Sequence, residues 1–173
     1  MTREHALFVR RLMAFAIDWL VLVVWGGALF GVVMLATKGS PPRPASPWHG
    51  QMVGLLTMTI PFLLYFALSE RSPAQASLGK RILGLSVSTH TGERLSLTAA
   101  IARNAIKFIP WECGHTLAQQ AAFSDDTGLA AWVWAPAAVA FLCPVWWVLA
   151  ILMTAQAPYD RWTSARVMRS TEA

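Results

Sequence analysis

A chain of 173 residues that is 55% hydrophobic and only 13% charged, with a mean hydropathy of +0.46, is too poor in charge for a soluble domain, where about a quarter of residues are charged. Its net charge of +5 would suit nucleic acid. The basic residues, however, stand scattered at the ends of apolar runs instead of forming a stripe interleaved with aromatics, so that class is set aside and membrane lipid becomes the expected partner.

The first apolar run extends from about Ala6 to Thr37, with Arg10 and Arg11 near its start and Lys38 after its end. It exceeds the roughly 20 residues a span needs. Its length and the Asp18 inside it argue against a signal peptide. Gly27 and Gly31 make a G-x-x-x-G step suited to close helix packing. The stretch from Lys38 to Pro47 contains Pro41, Pro42, Pro44 and Pro47 and cannot continue a helix. A second span follows from about Gln51 to Leu68, with Pro61 as its kink.

The segment from Glu70 to Leu97 is polar. Leu83–Ser88 and Glu93–Leu97 alternate on either side of a turn at Thr89–Gly92, which predicts a small β-hairpin beside the membrane. From Leu97 to Ala122 the period is helical, with Pro110 interrupting. Arg103, Lys107, Trp111, His115 and Gln119 recur every four residues and share one face, and Glu112 lies beside it. This segment either lies flat as an amphipathic helix or crosses with its polar stripe turned inward. Leu129 to Thr154 is the last apolar run, rich in Trp, with Pro136 and Pro144. A short basic tail follows, from Tyr159 to Val167. The two cysteines, Cys113 and Cys143, form no CxxC pair and read as small buried hydrophobes.

Charge placement favours one topology. Arg3, Arg10 and Arg11 precede the first run; Arg71, Lys80, Arg81 and Arg94 follow the second; Arg161, Arg166 and Arg169 follow the last. Four crossings put all three groups in the cytoplasm, whereas three strand the last group outside. The expected fold is a single all-α membrane domain over residues 1–173, a bundle of about four transmembrane helices with a small cytoplasmic β-hairpin. The alternative is three spans plus an interfacial helix.

Four stretches in order carry a resemblance: Arg11-Leu12-Met13-Ala14-Phe15-Ala16-Ile17-Asp18; Ser77-Leu78-Gly79-Lys80-Arg81-Ile82-Leu83-Gly84-Leu85-Ser86-Val87; Arg103-Asn104 with Lys107 to Glu112; and Tyr159-Asp160-Arg161 with Thr163 and Val167. Together they resemble the RDD family of bacterial inner-membrane proteins. The resemblance implies that Arg11, Asp18 and Asp160 are the name-giving residues. It also implies a multi-pass inner-membrane protein, in a family some of whose members have been linked to cation–proton antiport. Trp162 and Ser164-Ala165 depart from the Leu-Ala-Gly usual around the family's Thr.

Ionisable residues inside a membrane are costly and need partners or a task. The candidate intramembrane polar cluster is Arg11, Asp18, Arg103, Asn104, Lys107, Glu112, His115 and Asp160. Asp18, seven residues after Arg11, is expected to be buried and within salt-bridge or water-bridged reach of Arg103, Lys107 or a tail Arg. Glu112 and His115 at i, i+3 could share a metal, but no second such pair stands elsewhere, so neither a metal nor a cofactor is expected. Gly79-Lys80 lacks the first Gly and the Ser/Thr of a phosphate loop. Lys80 and Arg81 are therefore expected at lipid headgroups. No nucleophile–base pair points to an enzyme. Two readings remain: cation or proton movement through the cluster, by a homo-oligomer because four helices enclose little space, or a structural or accessory membrane protein whose charges hold the bundle together.

Overall fold

The computed structural model describes residues 3–126 and 128–170. Helix α1 runs Arg3–Ala36. A second long rod follows: α2 (Pro47–Gly54), a π-helical turn (Leu55–Thr59) and α3 (Ile60–Arg71). After a short α4 (Leu78–Ile82) and strand β1 (Leu85–Thr89) comes α5 (Leu97–Ala122). A 3-10 turn (Ala131–Val133) leads into α6 (Trp134–Thr154), then α7 (Pro158–Trp162) and strand β2 (Ala165–Arg169).

Local chemistry sets the ends of these elements. Ser46 caps α2 by accepting from the His49 amide, and Pro47 occupies the first turn, where its missing N–H costs nothing. Ser96 caps α5 in the same way, through the Ala99 amide. Gly84 takes φ +64, the left-handed conformation that glycine adopts without strain, and so turns the chain from α4 into β1.

Three helices are long and apolar enough to cross a membrane: Ala6–Ala36, Pro47–Arg71 and Ala131–Thr154. α5 is too polar to qualify, yet it runs antiparallel to the second rod along its length. Asn104 meets Glu70, Glu112 meets Thr59 and Gln51, His115 lies against Gly54, and the Gln119 amide lies against Gly50. Its 26 residues extend roughly 39 Å at 1.5 Å each, the length of the second rod it lies against. α1 is also antiparallel to that rod, with Asp18 near Tyr65 and Trp25 at Thr57. α6 packs along α5, where a Cβ at Gly114 would lie 3.9 Å from Ala140.

The bundle therefore alternates in direction, and both ends of the described chain lie at one end of it. There β1 and β2 pair antiparallel, with Val87 opposite Val167, and a compact apolar core of Ala14, Ala67, Leu85, Val87, Leu95, Ala100, Ala165 and Val167 joins sheet to helices. Elsewhere most large apolar side chains face outward, with Phe62 and Val133 as buried exceptions. Leu35 and Met153 are each 82% exposed, as expected where lipid tails take the place of water.

The small sheet differs from the expected hairpin in its second strand. Residues 93–97 alternate, but β1 takes its partner from the tail. The other edge of β1 is occupied as well: the Val87 amide donates to the Gln75 carbonyl at 2.7 Å and the Thr89 amide to Glu93 at 2.8 Å. Leu95 and Ala100 face inward to the core instead.

Candidate functional site

The polar side chains gather in three places. The largest assembly sits at the sheet end and is centred on a residue absent from the expected cluster, Glu70. Its carboxylate, fully buried at the end of α3, accepts from Arg103 at 2.6 Å, Lys80 at 2.8 Å, Asn104 at 2.9 Å and Lys107 at 3.5 Å. Arg103 spans two carboxylates, reaching Asp160 through Nε at 2.8 Å and Nη2 at 2.7 Å. Arg11 closes the chain on Asp160 at 2.6 Å. Its Nη1 also donates at 3.0 Å to the carbonyl of Ala155, which ends α6 in the left-handed region at φ 56, a strained conformation for a residue with a Cβ.

Helix spacing explains the convergence. Arg103, Asn104 and Lys107 lie on one face of α5, and α7 presents Asp160 in its first turn. Four basic side chains (Arg11, Lys80, Arg103, Lys107) surround two carboxylates (Glu70, Asp160). The basic heads also lie over aromatic faces: the Arg103 and Lys107 heads are 5.5 and 5.2 Å from the Tyr159 ring, and Lys80 is 5.6 Å from Phe66. Burial alone would raise the Asp160 carboxyl, but Arg103 and Arg11 outweigh it and hold the group below its ordinary value. Burial, reinforced by Asp160, pushes the Tyr159 phenol up to about 12.

The second place is Asp18. It is buried, as expected, but its partners are neutral. Ser77 Oγ donates at 2.6 Å, the Gly79 amide at 2.9 Å and the Tyr65 hydroxyl at 3.4 Å. The expected pairing with Arg103, Lys107 or a tail Arg is not what these groups form: Arg103 and Lys107 turn to Glu70 and Asp160, and α4 arrives at Asp18 first. Gly79 permits that approach, since a Cβ there would fall 2.1 Å from the Ala14 carbonyl oxygen. Lys80, on the same short helix, is turned inward to Glu70, whereas Arg81 is exposed.

The third place is Glu112, eight residues along α5 from Asn104 and so roughly 12 Å deeper into the bundle. Gln51 Nε2 donates to Glu112 Oε2 at 2.5 Å and to the Glu112 carbonyl at 3.3 Å. The Thr59 hydroxyl donates to Oε1. His115 Nδ1 lies 3.5 Å from the same oxygen. Trp111 packs on the His115 ring at 4.6 Å and links it to Trp19 of α1 at 5.3 Å. Among the described residues no three His, Cys, Asp or Glu side chains gather as metal ligands. Glu112 thus differs from Glu70 and Asp160: its hydrogen-bond donors are neutral, and the titratable group beside it is a histidine.

The eight expected cluster residues are therefore divided. Arg11, Arg103, Asn104, Lys107 and Asp160 form one network, Asp18 forms a separate node, and Glu112 with His115 forms a third. Glu70 and Lys80 join the network unexpectedly.

A model of the RDD family matches residues 5–164. No curated protein and no solved structure matches the chain.

Proposed function

Because this chain belongs to the RDD family, whose members are membrane proteins, we propose that it moves protons or monovalent cations across the inner membrane of a bacterium by way of Glu112 and His115. In this reading the chain crosses four times, with the sheet and both termini on the cytoplasmic side, where the basic residues collect. The network of Arg11, Glu70, Arg103 and Asp160 serves as a fixed clamp, since its carboxylates are held by opposite charges. One observation carries the transport role: Glu112 lies deep along α5, its donors are the neutral Gln51 and Thr59, and its titratable neighbour is His115. An intramembrane carboxylate without a permanent counter-ion is costly, and carboxylate–histidine pairs of this kind serve as proton relays. Arg81, exposed beside Ile82 on α4, meets lipid headgroups.

The test is flux in proteoliposomes. Wild-type protein should give pH-dependent cation or proton flux above empty vesicles, and Glu112→Gln should abolish it while the protein stays folded. Wild-type vesicles that behave like empty ones for protons, sodium and potassium overturn the proposal.

A structural or accessory role is the second reading, favoured by the pairing of Arg103 with both Glu70 and Asp160. It expects no flux, and loss of folded protein when Arg103 is replaced. A second copy of the chain as partner has its own support in α1, where a Cβ added at Gly27 or Gly31 would meet nothing within 4 Å. Cross-linking in native membranes checks that.

A further inference from the structure

The surroundings of Glu112 distinguish a proton from a metal cation. Each of its carboxylate oxygens receives a hydrogen, one from Thr59 and one from Gln51. A metal cation held by both oxygens would have to share them with these two donors, whereas a proton on Oε2 asks only Gln51 to turn. Gln51 is built to do so: its Nε2 serves Glu112, while its Oε1 is buried with no hydrogen-bond partner. A buried acceptor left unpaired is unfavourable.

We propose that Glu112 is a proton-binding carboxyl and that the Gln51 amide reverses with its charge. This deepens the transport reading and rests on it for its purpose, though not for its chemistry. With Glu112 ionised, the amide points its NH2 at Oε2 and leaves Oε1 unpaired. When a proton from water bonds to Oε2, the carboxyl becomes neutral and turns from acceptor to donor at that oxygen. The amide then rotates by half a turn, the N–H···O bonds to Oε2 and to the Glu112 carbonyl break, and an O–H···Oε1 bond forms. The unpaired atom is now the NH2. The reversed state gives up one more bond than the first, so the amide adopts it only when the protonated carboxyl supplies a donor that Nε2 cannot accept. Thr59 donates to Glu112 Oε1 throughout.

Two further features fit. The π-helical turn at Leu55–Thr59 leads directly to Thr59 at Glu112, and such turns concentrate at functional sites. His115 Nδ1 lies 3.5 Å from Oε1, the oxygen that Thr59 also holds, so the proton-accepting Oε2 is left to Gln51. The titratable groups around the site are few. α5 contributes His115 and Cys113, α6 brings Cys143 close to Cys113, the second rod contributes the neutral Gln51 and Thr59, and α1 contributes Trp19 through Trp111.

Infrared difference spectra of the full-length protein in lipid vesicles, recorded between alkaline and acidic buffer, test this directly. Wild type should show a protonated-carboxyl C=O band on acidification together with a change in a glutamine side-chain amide band. Glu112→Gln should remove the carboxyl band, and Glu112→Asp, retained in case the Gln variant fails to fold, should move it. Gln51→Leu should keep the band but shift it to higher frequency, because the new O–H has lost its acceptor. A carboxyl band that survives Glu112→Gln unchanged, or a position indifferent to Gln51→Leu, overturns the proposal. Flux measured on the same vesicles is a separate outcome. The bands without flux overturn the transport reading alone, and flux without the Glu112 band overturns this inference alone.

Discussion

Replacing Gly79 by Ala tests whether the junction of α1 with α4 is as tight as the geometry requires. Gly79 lies inside α4, so helix preference alone makes alanine better by roughly 1 kcal/mol. Packing acts in the opposite direction. The new Cβ would sit 2.1 Å from the Ala14 carbonyl oxygen, 2.9 Å from its carbon and 3.1 Å from Asp18 Cγ, and the first two are backbone atoms that cannot swing away. Restoring ordinary contact moves α4 back by about 1 Å, which stretches the bond from the Gly79 amide to Asp18, now 2.9 Å, beyond hydrogen-bonding range. A hydrogen bond to a charged group contributes about 1.5–3 kcal/mol, and overpacking costs about 1–3 kcal/mol. After the helix gain is subtracted, the expected loss centres on about 3 kcal/mol. Denaturation in detergent, followed by tryptophan fluorescence, measures it. In an Asp18→Asn background the loss should shrink, because the bond being broken is already weaker, giving a coupling of about 1 kcal/mol or more. A Gly79→Ala protein as stable as wild type, or more so, would refute the reasoning.

Glu70→Gln should cost about 3–5 kcal/mol, since it leaves the buried Arg103 with Asp160 alone and frees two lysine heads; the yield of folded protein from detergent reads this out. Asp160 is held below its ordinary value of 3.8, so its contribution is fully present above that pH and is lost as pH falls through the lower, folded value. The Tm difference between wild type and Asp160→Asn should therefore be largest near neutrality and close in strong acid. Absorbance titration should show one of the two tyrosines, Tyr159, ionising only near pH 12. Trp25→Phe should cost about 1 kcal/mol, because Pro61 has no N–H to offer the Thr57 carbonyl and the Trp25 indole fills that role at 2.9 Å. In a Pro61→Ala background the cost should fall.

The sequence disclosed this architecture unevenly, for physical reasons. Long apolar runs mark three rods without ambiguity, and the four-residue recurrence from Arg103 to Gln119 marks the polar face of α5. Hydropathy left open whether this segment crosses, and the structure shows it lying antiparallel along α2 and α3. Arg11 and Asp160 met as a pair, 149 positions apart. Glu70 was missed because an acid at the end of an apolar run looks like a membrane boundary; Lys80 and Arg81 shortly after it were the available hint of a buried counter-charge. The partners of Asp18 were missed for a different reason. A carboxylate can be satisfied by a backbone amide and a serine, and neither stands out in a sequence, although Ser77 and Gly79 lay within the second motif. The alternation of residues 93–97 carried no information on which strand β1 would choose, since the tail alternates as well and its Ala165 and Val167 complete the core.

The join between β1 and β2, and that between Arg103 and Asp160, have a consequence in time. Val87 faces Val167, and Arg103 waits for a carboxylate 57 positions later. At translation speeds of about 5–20 residues per second, that interval is roughly 3 to 11 s. Over those seconds Arg11 and half of Arg103 lack their carboxylate, and one edge of β1 lacks its partner. The last helix and the strand after it act as a closing clasp. A ribosome stalled between them would leave a chain with unpaired guanidiniums and a bare strand edge, a template for pairing with another chain.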